Sequence, residues 1–226
     1  IEKQLGSKPL TTRYMKEVMD DKDIDAVWIA TPDHWHALAT IWACQAGKDV
    51  YVEKNISLNI REGRKMIEAA KKYDRIIECG YQNRSGEYNM KARDYIQSGK
   101  LGKITLVKTF CMLPGSKPWI LKEDTPVPEG LNWDMWLGTA ADRPFIGDAY
   151  YHPNNWRKRL DFGTGTFGDM GCHIFDPVFK GLGLGAPITV RSEGSAPNQW
   201  NWAIDSRIQY TVKGNKLTES DILPVT

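Results

Sequence analysis

The sequence has no long apolar run, no strong charge of one sign and no internal repeat. No segment approaches the roughly 18 to 20 apolar residues that a helix needs to span a bilayer. The net charge is +2, and acidic and basic residues are interspersed, so no strong field attracts nucleic acid or a membrane surface. These absences favour a globular protein without a nucleic-acid or membrane partner.

The cysteines give no sign of a metal site or a disulfide framework. Four are present, and no two form a CxxC pair: Cys44, Cys79, Cys111 and Cys172. Free thiols are therefore expected. Tryptophan and tyrosine are frequent by contrast, with nine of each. Such rings pack in cores and interfaces, and they also form flat walls that hold sugar rings, so composition leaves both uses open.

Strands and helices alternate over the first hundred residues. Strands are expected at Asp25–Ala30, Asp49–Val52 and Ile76–Cys79, and helices at Tyr14–Met19, from Leu38 to Gln45, at Ile60–Tyr73 and from Tyr88 to Ile96. The nearly continuous apolar run of the first strand is typical of a strand that is covered on both faces. The alternation predicts a parallel sheet with helical crossovers.

After Gly102 the pattern changes. A strand is expected at Ile104–Met112, followed by a long irregular region, Pro114–Pro153, and by strands at Ile188–Ser192 and Ile204–Val212. The last of these alternates apolar and polar residues, as in an antiparallel sheet with one solvated face. With a boundary near Gln82–Gly86, the predicted fold is α/β. A doubly wound parallel sheet occupies residues 1–84, and an α+β domain with an open, largely antiparallel sheet occupies 85–226.

Two charged residues end the second strand. Glu53 and Lys54 lie at the carboxyl end of a strand, where open α/β sheets bind ligands, so Lys54 is a candidate reactive group. An ordinary surface pair fits the same spacing. A polar turn before the next helix holds His34 and His36. Two histidines so close chelate a metal poorly without a third ligand, so hydrogen bonding to a ligand or to the strand ends is the better prediction.

A glycine-rich stretch near residue 165 matches the dinucleotide fingerprint GxGxxG through Gly163, Gly165 and Gly168. We reject that interpretation, because no hydrophobic strand precedes it and no acidic residue follows about 20 positions later. The loop is instead predicted to lead into a helix, Asp169–Phe179. On that helix Asp169 and His173 share one face, where a carboxylate can orient an imidazole as a general base. A helix cap or surface pair is the alternative.

Three segments together resemble the Gfo/Idh/MocA oxidoreductase family: Ala30-Thr-Pro-Asp-His-Trp-His36, Val50-Tyr-Val-Glu-Lys54 and Gly168-Asp-Met-Gly-Cys-His173. Secondary matches are Gly80–Arg84, Asn132–Gly138 and Trp156-Arg157. The resemblance covers nearly the whole chain. It implies a partial Rossmann domain that binds NAD or NADP, followed by a C-terminal domain whose open sheet forms a dimer or tetramer contact.

The resemblance also implies residue roles in a site between the two domains. Lys54 would stabilise a developing alkoxide, His173 would accept the hydroxyl proton, and Asp169 would contact a sugar, polyol or cyclitol substrate. The cofactor side would be lined by Thr31, Pro32, His34, His36, Glu53, Asn83, Trp156 and Arg157. No resident metal is expected. Relatives with this histidine pattern are often exported, so the cytoplasm and the periplasm both stay open as locations.

The chain departs from the family in two ways. Asn55 stands where the family usually has proline, which fixes its own φ and restricts the residue before it, here Lys54. The family's first strand and glycine-rich turn, which hold the cofactor pyrophosphate, and its last strands have no counterpart in this sequence. We therefore expect weak NAD binding by these residues alone, and calorimetry giving a micromolar affinity would contradict that. The alternatives are a glycoside hydrolase that uses transient oxidation and an inactive binding protein.

Overall fold

A computed structural model of the chain describes residues 6, 8–111, 123–147, 150–151, 154–203 and 205–226. The described residues form one parallel and one antiparallel sheet of three strands each. This order confirms the predicted α/β part followed by an antiparallel sheet. Across these ranges, no helix combines the length and the apolar character that a membrane crossing requires.

The first sheet has the order β1 (Ala26–Ile29), β2 (Asp49–Glu53) and β3 (Ile77–Gly80), all parallel. Helix α1 (Met15–Asp20) precedes it, and helices α2 (Asp33–Gln45) and α3 (Ile60–Tyr73) connect its strands. In register, Ile29 pairs with Val52, and Val52 pairs with Cys79. The carboxyl ends of the three strands therefore lie side by side at one edge of the sheet.

Helix α3 begins with the capping box that its sequence predicts. The Asn59 side chain accepts a hydrogen bond from the Glu62 backbone N–H at 3.0 Å. The Glu62 carboxylate accepts one from the Asn59 side-chain amide at 2.9 Å and one from the Leu58 backbone N–H at 3.2 Å. Two polar groups of the first turn thereby satisfy each other. Met66 and Ala69 then bury the inner stripe of the helix against the first sheet.

Among the described residues, helices cover only one face of the first sheet, which differs from the expectation that β1 is covered on both. Val50, Val52 and Ile29 are buried beneath α2 and α3. On the opposite face Trp28 keeps 71% of its surface exposed and meets Tyr51 edge to face, with ring centroids 5.0 Å apart. The apolar run is continuous because aromatic residues occupy the outer face as well, and periodicity does not show whether anything covers them.

The second sheet is antiparallel and has the order β4 (Pro187–Gly194), β5 (Ser206–Lys213) and β6 (Ile222–Val225). Before it come α4 (Glu87–Gln97), α5 (Trp133–Leu137), α6 (Gly165–Leu182) and the 3₁₀ turns Gln82–Ser85 and Asn155–Lys158. Helix α6 packs Phe175 and Phe179 against Val212 and Leu223. The open antiparallel sheet is as predicted, while Ile204, the first residue of the predicted last strand, lies outside the described residues.

The strand expected at Ile104–Met112 is wrong for the part that is described, which ends at Cys111. Only isolated bridges form, Ile104 with Thr218 and Val107 with Val225. The Val107 N–H donates to the Pro224 carbonyl at 3.1 Å, but a proline at 224 has no N–H to continue the ladder toward Thr105. The missing N–H on β6 thus prevents the pairing from extending back toward Thr105, although the alternating pattern of this segment favours a strand.

An aromatic cluster fills the described part of the irregular region, whose residues 114–122, 148–149 and 152–153 lie outside the description. Trp133 stacks on Trp136 with ring centroids 5.0 Å apart, and Tyr151 and Phe162 pack against them. The Trp133 indole N–H donates to the Arg143 carbonyl at 2.7 Å. Much of the high aromatic content therefore serves packing.

Candidate active site

Lys54 and Asp169 meet where the two parts of the chain contact each other. The Lys54 ammonium forms an ion pair with the Asp169 carboxylate and donates a second hydrogen bond to the Asp169 backbone oxygen at 3.1 Å. The two side chains are only 17% and 19% exposed. The Arg157 Nε lies 3.4 Å from the same carboxylate. One carboxylate of α6 therefore faces two cations, one of them at the end of β2.

His173 lies one turn after Asp169 on α6. Partial burial is the main cause that lowers the pKa of His173, and the positive charge of Lys54 lowers it further, against the opposing charges of Asp169 and Glu53. A lowered pKa keeps the imidazole neutral, and able to accept a proton, to a more acidic pH than an ordinary histidine. The Asn83 amide donates to the His173 carbonyl at 3.1 Å and so holds the backbone at this point.

The two histidines near β1 lie in the first turn of α2 and not in a polar turn, which corrects that prediction. Pro32 occupies the N-cap position, and the helix begins at Asp33. Proline is tolerated at this position because the N–H groups at a helix start have no intrahelical partner. The two imidazoles then point into different surroundings.

His36 is buried and faces two backbone oxygens. Its Nδ1 lies 2.5 Å from the Asn55 carbonyl oxygen, and its Nε2 lies 2.8 Å from the Thr31 carbonyl oxygen. A neutral imidazole has one N–H and donates to one of these oxygens, whereas the doubly protonated ring donates to both. His36 thereby joins the end of β1 to the backbone beside Lys54.

His34 and Trp156 belong to the aromatic cluster. His34 Nε2 lies 3.0 Å from the Trp136 carbonyl oxygen, and the ring packs on Phe162. Burial lowers the pKa of His34. Trp156 is buried, and the Arg157 guanidinium lies 4.3 Å from the centre of its ring, so Trp156 supports the cation that reaches Asp169.

The ends of β1 and β2 offer further polar groups at this edge. The Thr31 hydroxyl is buried and has no hydrogen-bond partner among the described residues. The Glu53 carboxylate lies beside Gly80, where a Cβ would come within 2.9 Å of its oxygen. Within the described ranges, no group of three His, Cys, Asp or Glu side chains is arranged to hold a metal ion.

Sequence reasoning missed Asp33 and Thr164. Asp33 is buried, and its carboxylate accepts hydrogen bonds from the Asn55 amide at 3.3 Å and from the Thr164 hydroxyl at 3.2 Å. Burial raises the pKa of Asp33, and the neighbouring His36 is the largest of the causes that oppose this rise. Thr164 carried no signal in the sequence beyond its place between two glycines.

The glycines just before and in the first turn of α6 allow close packing that a side chain would prevent. A Cβ on Gly163 would come within 2.6 Å of the Arg157 backbone, and a Cβ on Gly168 would come within 2.5 Å of the Thr164 side chain. Gly165 has a positive φ of 70°. Among the described residues, the element that precedes these glycines is the 3₁₀ turn Asn155–Lys158 and not a strand. These observations agree with rejecting the dinucleotide fingerprint here.

One cavity of the molecule does not include the Lys54–Asp169 pair. It measures about 870 Å³ and lies between α6 and the second sheet, where Met170, Ile174 and Tyr210 contribute to its wall. Lys54, Asp169 and His173 are not among its lining residues. The candidate site is therefore assigned from the side chains that can donate or accept a proton and not from the position of this cavity.

Both parts of the chain match a known family. Residues 2–81 match the Gfo/Idh/MocA description "Oxidoreductase family, NAD-binding Rossmann fold". Residues 107–217 match the description "Oxidoreductase family, C-terminal alpha/beta domain". The two matches fall on the parallel and antiparallel parts of the structure respectively.

Two curated relatives illustrate the sequence similarity. The chain is 33% identical to scyllo-inositol 2-dehydrogenase (NAD(+)) of Bacillus subtilis over 102 residues, which are 45% of this chain and 30% of that protein. It is 25% identical to levoglucosan dehydrogenase of Pseudarthrobacter phenanthrenivorans over 166 residues, 74% of this chain and 35% of that protein. The chain thus spans about a third of the length of these relatives.

Solved structures share the fold. The WlbA dehydrogenase from Chromobacterium violaceum, in complex with NADH and UDP-GlcNAcA, gives a TM-score of 0.65 at 18% identity, covering 100% of this chain and 55% of that one. Levoglucosan dehydrogenase in complex with NADH and levoglucosan gives a TM-score of 0.62 at 20% identity, covering 99% and 52%. At these identities the likeness concerns the fold alone.

Proposed function

Because this chain belongs to the Gfo/Idh/MocA oxidoreductase family, we propose that it transfers hydride between a nicotinamide dinucleotide and a hydroxyl-bearing carbon. The proposed substrate is a sugar, polyol or cyclitol. The names of the two curated relatives, an inositol dehydrogenase and a levoglucosan dehydrogenase, favour this class.

The observation that carries the proposal is the contact between Lys54 and Asp169, which lie 115 positions apart in the sequence. It brings a charged donor at a strand end next to the helix that bears His173. Dehydrogenation of an alcohol needs a group that takes the hydroxyl proton and a group that stabilises negative charge on the oxygen. A neutral imidazole and an ammonium supply these two functions.

The residues present fit a nicotinamide cofactor at the strand edge. The buried Thr31 hydroxyl has no hydrogen-bond partner among the described residues and can therefore bond a ligand without breaking a contact. Thr31, Pro32, Glu53, Asn83 and Arg157 would line the cofactor. When bound, the cofactor supplies the nicotinamide ring that accepts the hydride. Open α/β sheets bind ligands at this edge, beyond the carboxyl ends of their strands.

In the oxidation direction, each group of the chain has one role. His173 accepts the hydroxyl proton as the carbon–oxygen double bond forms and hydride leaves the same carbon. Lys54 donates a hydrogen bond to the oxygen while its negative charge develops. Asp169 holds Lys54 through their ion pair and contacts a neighbouring hydroxyl of the substrate. In the reduction direction His173 returns the proton.

We assign supporting roles to His34, His36 and Trp156. The polar contacts of the two imidazoles go to backbone oxygens, and Trp156 lies under Arg157. These three side chains hold the strand edge and the cation in place. Asn83 acts similarly on α6 through its bond to the His173 carbonyl, in addition to lining the cofactor.

The proposal is tested by the products formed from a panel of polyols, cyclitols and cyclic sugars with NAD or NADP. We expect net formation of reduced cofactor together with one equivalent of ketone or lactone for at least one substrate. For the Lys54→Met variant described in the Discussion, the matched control is Lys65→Met. It removes an exposed lysine of α3 and is expected to leave the rate unchanged. Glycoside cleavage without net reduced cofactor would instead identify a hydrolase, and inactivity across the panel at cofactor concentrations that saturate the protein would favour a binding protein.

We also propose that the protein assembles as a homo-oligomer through its second sheet. Strand β4 is exposed along nearly all of its length, and Ile188 and Val190 keep 58% and 62% of their surfaces accessible. Exposed aliphatic side chains on an edge strand favour association with another copy of the chain.

A further inference from the structure

Three side chains from distant segments form a closed set of hydrogen bonds beside Lys54. The Asn55 amide donates to the Thr164 hydroxyl at 2.6 Å and to the Asp33 carboxylate at 3.3 Å. The Thr164 hydroxyl in turn donates to the same Asp33 oxygen at 3.2 Å. Asp33 begins α2, Asn55 follows Lys54, and Thr164 occupies the N-cap position of α6. We call these residues the Asn55 network.

The Asn55 network satisfies a buried charge. Asp33 is 4% exposed, and a buried carboxylate is costly unless hydrogen-bond donors face it. Among the described residues, Asn55 and Thr164 donate to it through their side chains. Removing either donor leaves part of this carboxylate unsatisfied, so the network has a strong preference for one arrangement.

Both the backbone and the side chain of Asn55 are held. The Asn55 carbonyl oxygen lies 2.5 Å from His36 Nδ1, while the amide reaches across to Thr164. Thr164 itself is confined, because its side chain lies against Gly168, where a Cβ would come within 2.5 Å. The loop after β2 and the start of α6 are thus tied to each other at one point.

This tie lies next to both members of the candidate catalytic pair. Lys54 directly precedes Asn55, and Asp169 lies five residues after Thr164, in the second turn of α6. The Asn55 network fixes the distance between the loop after β2 and the start of α6. It therefore sets where the Lys54 ammonium meets Asp169. A proline at position 55 has no side-chain donor and cannot form these bonds.

We propose that Asn55 is a positioning residue, which places Lys54 against Asp169 and His173 through its amide bonds to Thr164 and Asp33. Its consequence for hydride transfer depends on the function proposed above, but the placement of Lys54 does not. The proposal gives the residue at the usual proline position a role that proline cannot fill.

The decisive comparison uses Thr164→Val, which keeps the shape of the side chain and removes its hydroxyl, and Thr164→Ser, which keeps the hydroxyl. Asn55→Ala removes the amide. Thr211→Val removes a hydroxyl that bonds Thr189 on the second sheet, far along the chain from the network, and serves as the matched control. Thermal unfolding of each variant establishes that it is folded before the other measurements are made.

The first readout is the titration of His173 by NMR, which requires neither cofactor nor substrate. The Lys54 charge contributes to lowering the pKa of His173, so displacing Lys54 is expected to raise it, by about half a unit or more. Asn55→Ala and Thr164→Val should both show the rise, and Thr164→Ser and Thr211→Val should titrate like the parent. If Asn55→Ala does not fold, the Thr164 pair decides alone.

The second readout is kinetic, on the substrate found for the parent. Asn55→Ala and Thr164→Val are expected to lower kcat about tenfold to a hundredfold, because small displacements of a reacting group are costly, with KM changing less than about threefold. Thr164→Ser should restore the rate. If His173 titrates in Thr164→Val as it does in the parent, the positioning role is wrong. A parent that forms no reduced cofactor counts against the proposed function alone.

Discussion

Lys54, Asp169 and His173 affect one another through charge. Asp169 gives the Lys54 ammonium a counter-ion in a place where both side chains are largely removed from solvent. Lys54 in turn opposes protonation of His173, and Asp169 favours it. Burial decides the balance, so the imidazole stays a neutral acceptor. A site that must take a proton near neutral pH benefits from this arrangement.

Replacing Lys54 by methionine is expected to raise the pKa of His173, because one of the two causes that lower it disappears and burial alone remains. The neutral, proton-accepting form then persists only at higher pH. The acid limb of any residual activity should move to higher pH, and NMR titration of His173 should show the same direction. An unchanged or lowered pKa would show that the Lys54 charge does not act on this imidazole.

Spacing along the chain marked some of the candidate groups. Asp169 and His173 share a helix face, and Lys54 ends a strand, so the sequence named these three as candidates, and the structure brings Lys54 and Asp169 into contact. Asp33 and Thr164 could not be named in this way, because their bond joins positions 131 apart and each resembles an ordinary helix cap. Asn55 was noticed only as a missing proline, and its bonding partners became visible only in the fold.

Helix α6 depends on the close approach of its leading loop to the Asn155–Lys158 turn. Gly163 lies so near the Arg157 backbone that a side chain at this position meets main-chain atoms, which cannot rotate away. The glycine is therefore required for packing, and through Arg157 it also affects the surroundings of Asp169.

Gly163→Ala is expected to lower the free energy of unfolding by about 1–3 kcal/mol, because the added methyl group overpacks against backbone. Gly185→Ala is the matched control, since a Cβ there meets nothing within 4 Å. Chemical denaturation of both variants measures the difference. Equal stabilities would show that the loop accommodates the methyl group without strain.

Elements with strong periodicity agreed with prediction, and elements that depend on a neighbour did not. The capping box and apolar stripe define α3 locally. The segment after Gly102 has the alternation of a strand, yet its described part forms only isolated bridges, and Pro224 on β6 has no N–H to extend the pairing toward Thr105. The start of α2 was placed too late because polar residues after Pro32 resemble a turn as much as a first helical turn.

At the scale of the whole molecule, the order of a parallel part and an antiparallel part followed from the alternation of patterns. What covers each sheet did not follow, because an aromatic side chain such as Trp28 fits a buried face and an exposed one equally well. Helix α6 receives two charged contacts from earlier in the chain, the Lys54–Asp169 pair and a two-pronged ion pair from Arg84 to Asp176.

The proposed homo-oligomer is expected to dissociate when charge is introduced on β4. Val190→Lys should shift the protein from dimer or tetramer to monomer in light scattering, because an ammonium group does not tolerate burial in a contact between copies. Ile60→Lys, at an exposed apolar position on α3, is the control and should not change the mass. A parent that is already monomeric, or a variant with the parent's mass, would exclude assembly through β4.

The central claim is that Lys54 and His173, from the two parts of the chain, act as one site for hydride transfer. It is tested most directly by the rate of reduced-cofactor formation in Lys54→Met, His173→Gln and the double variant. Each single change is expected to lower the rate about 10²–10⁴-fold, and the double variant should be about as slow as the slower single one, because groups that act as a unit are not additive. The claim is contradicted if either single variant keeps the parent's rate, or if the two losses multiply.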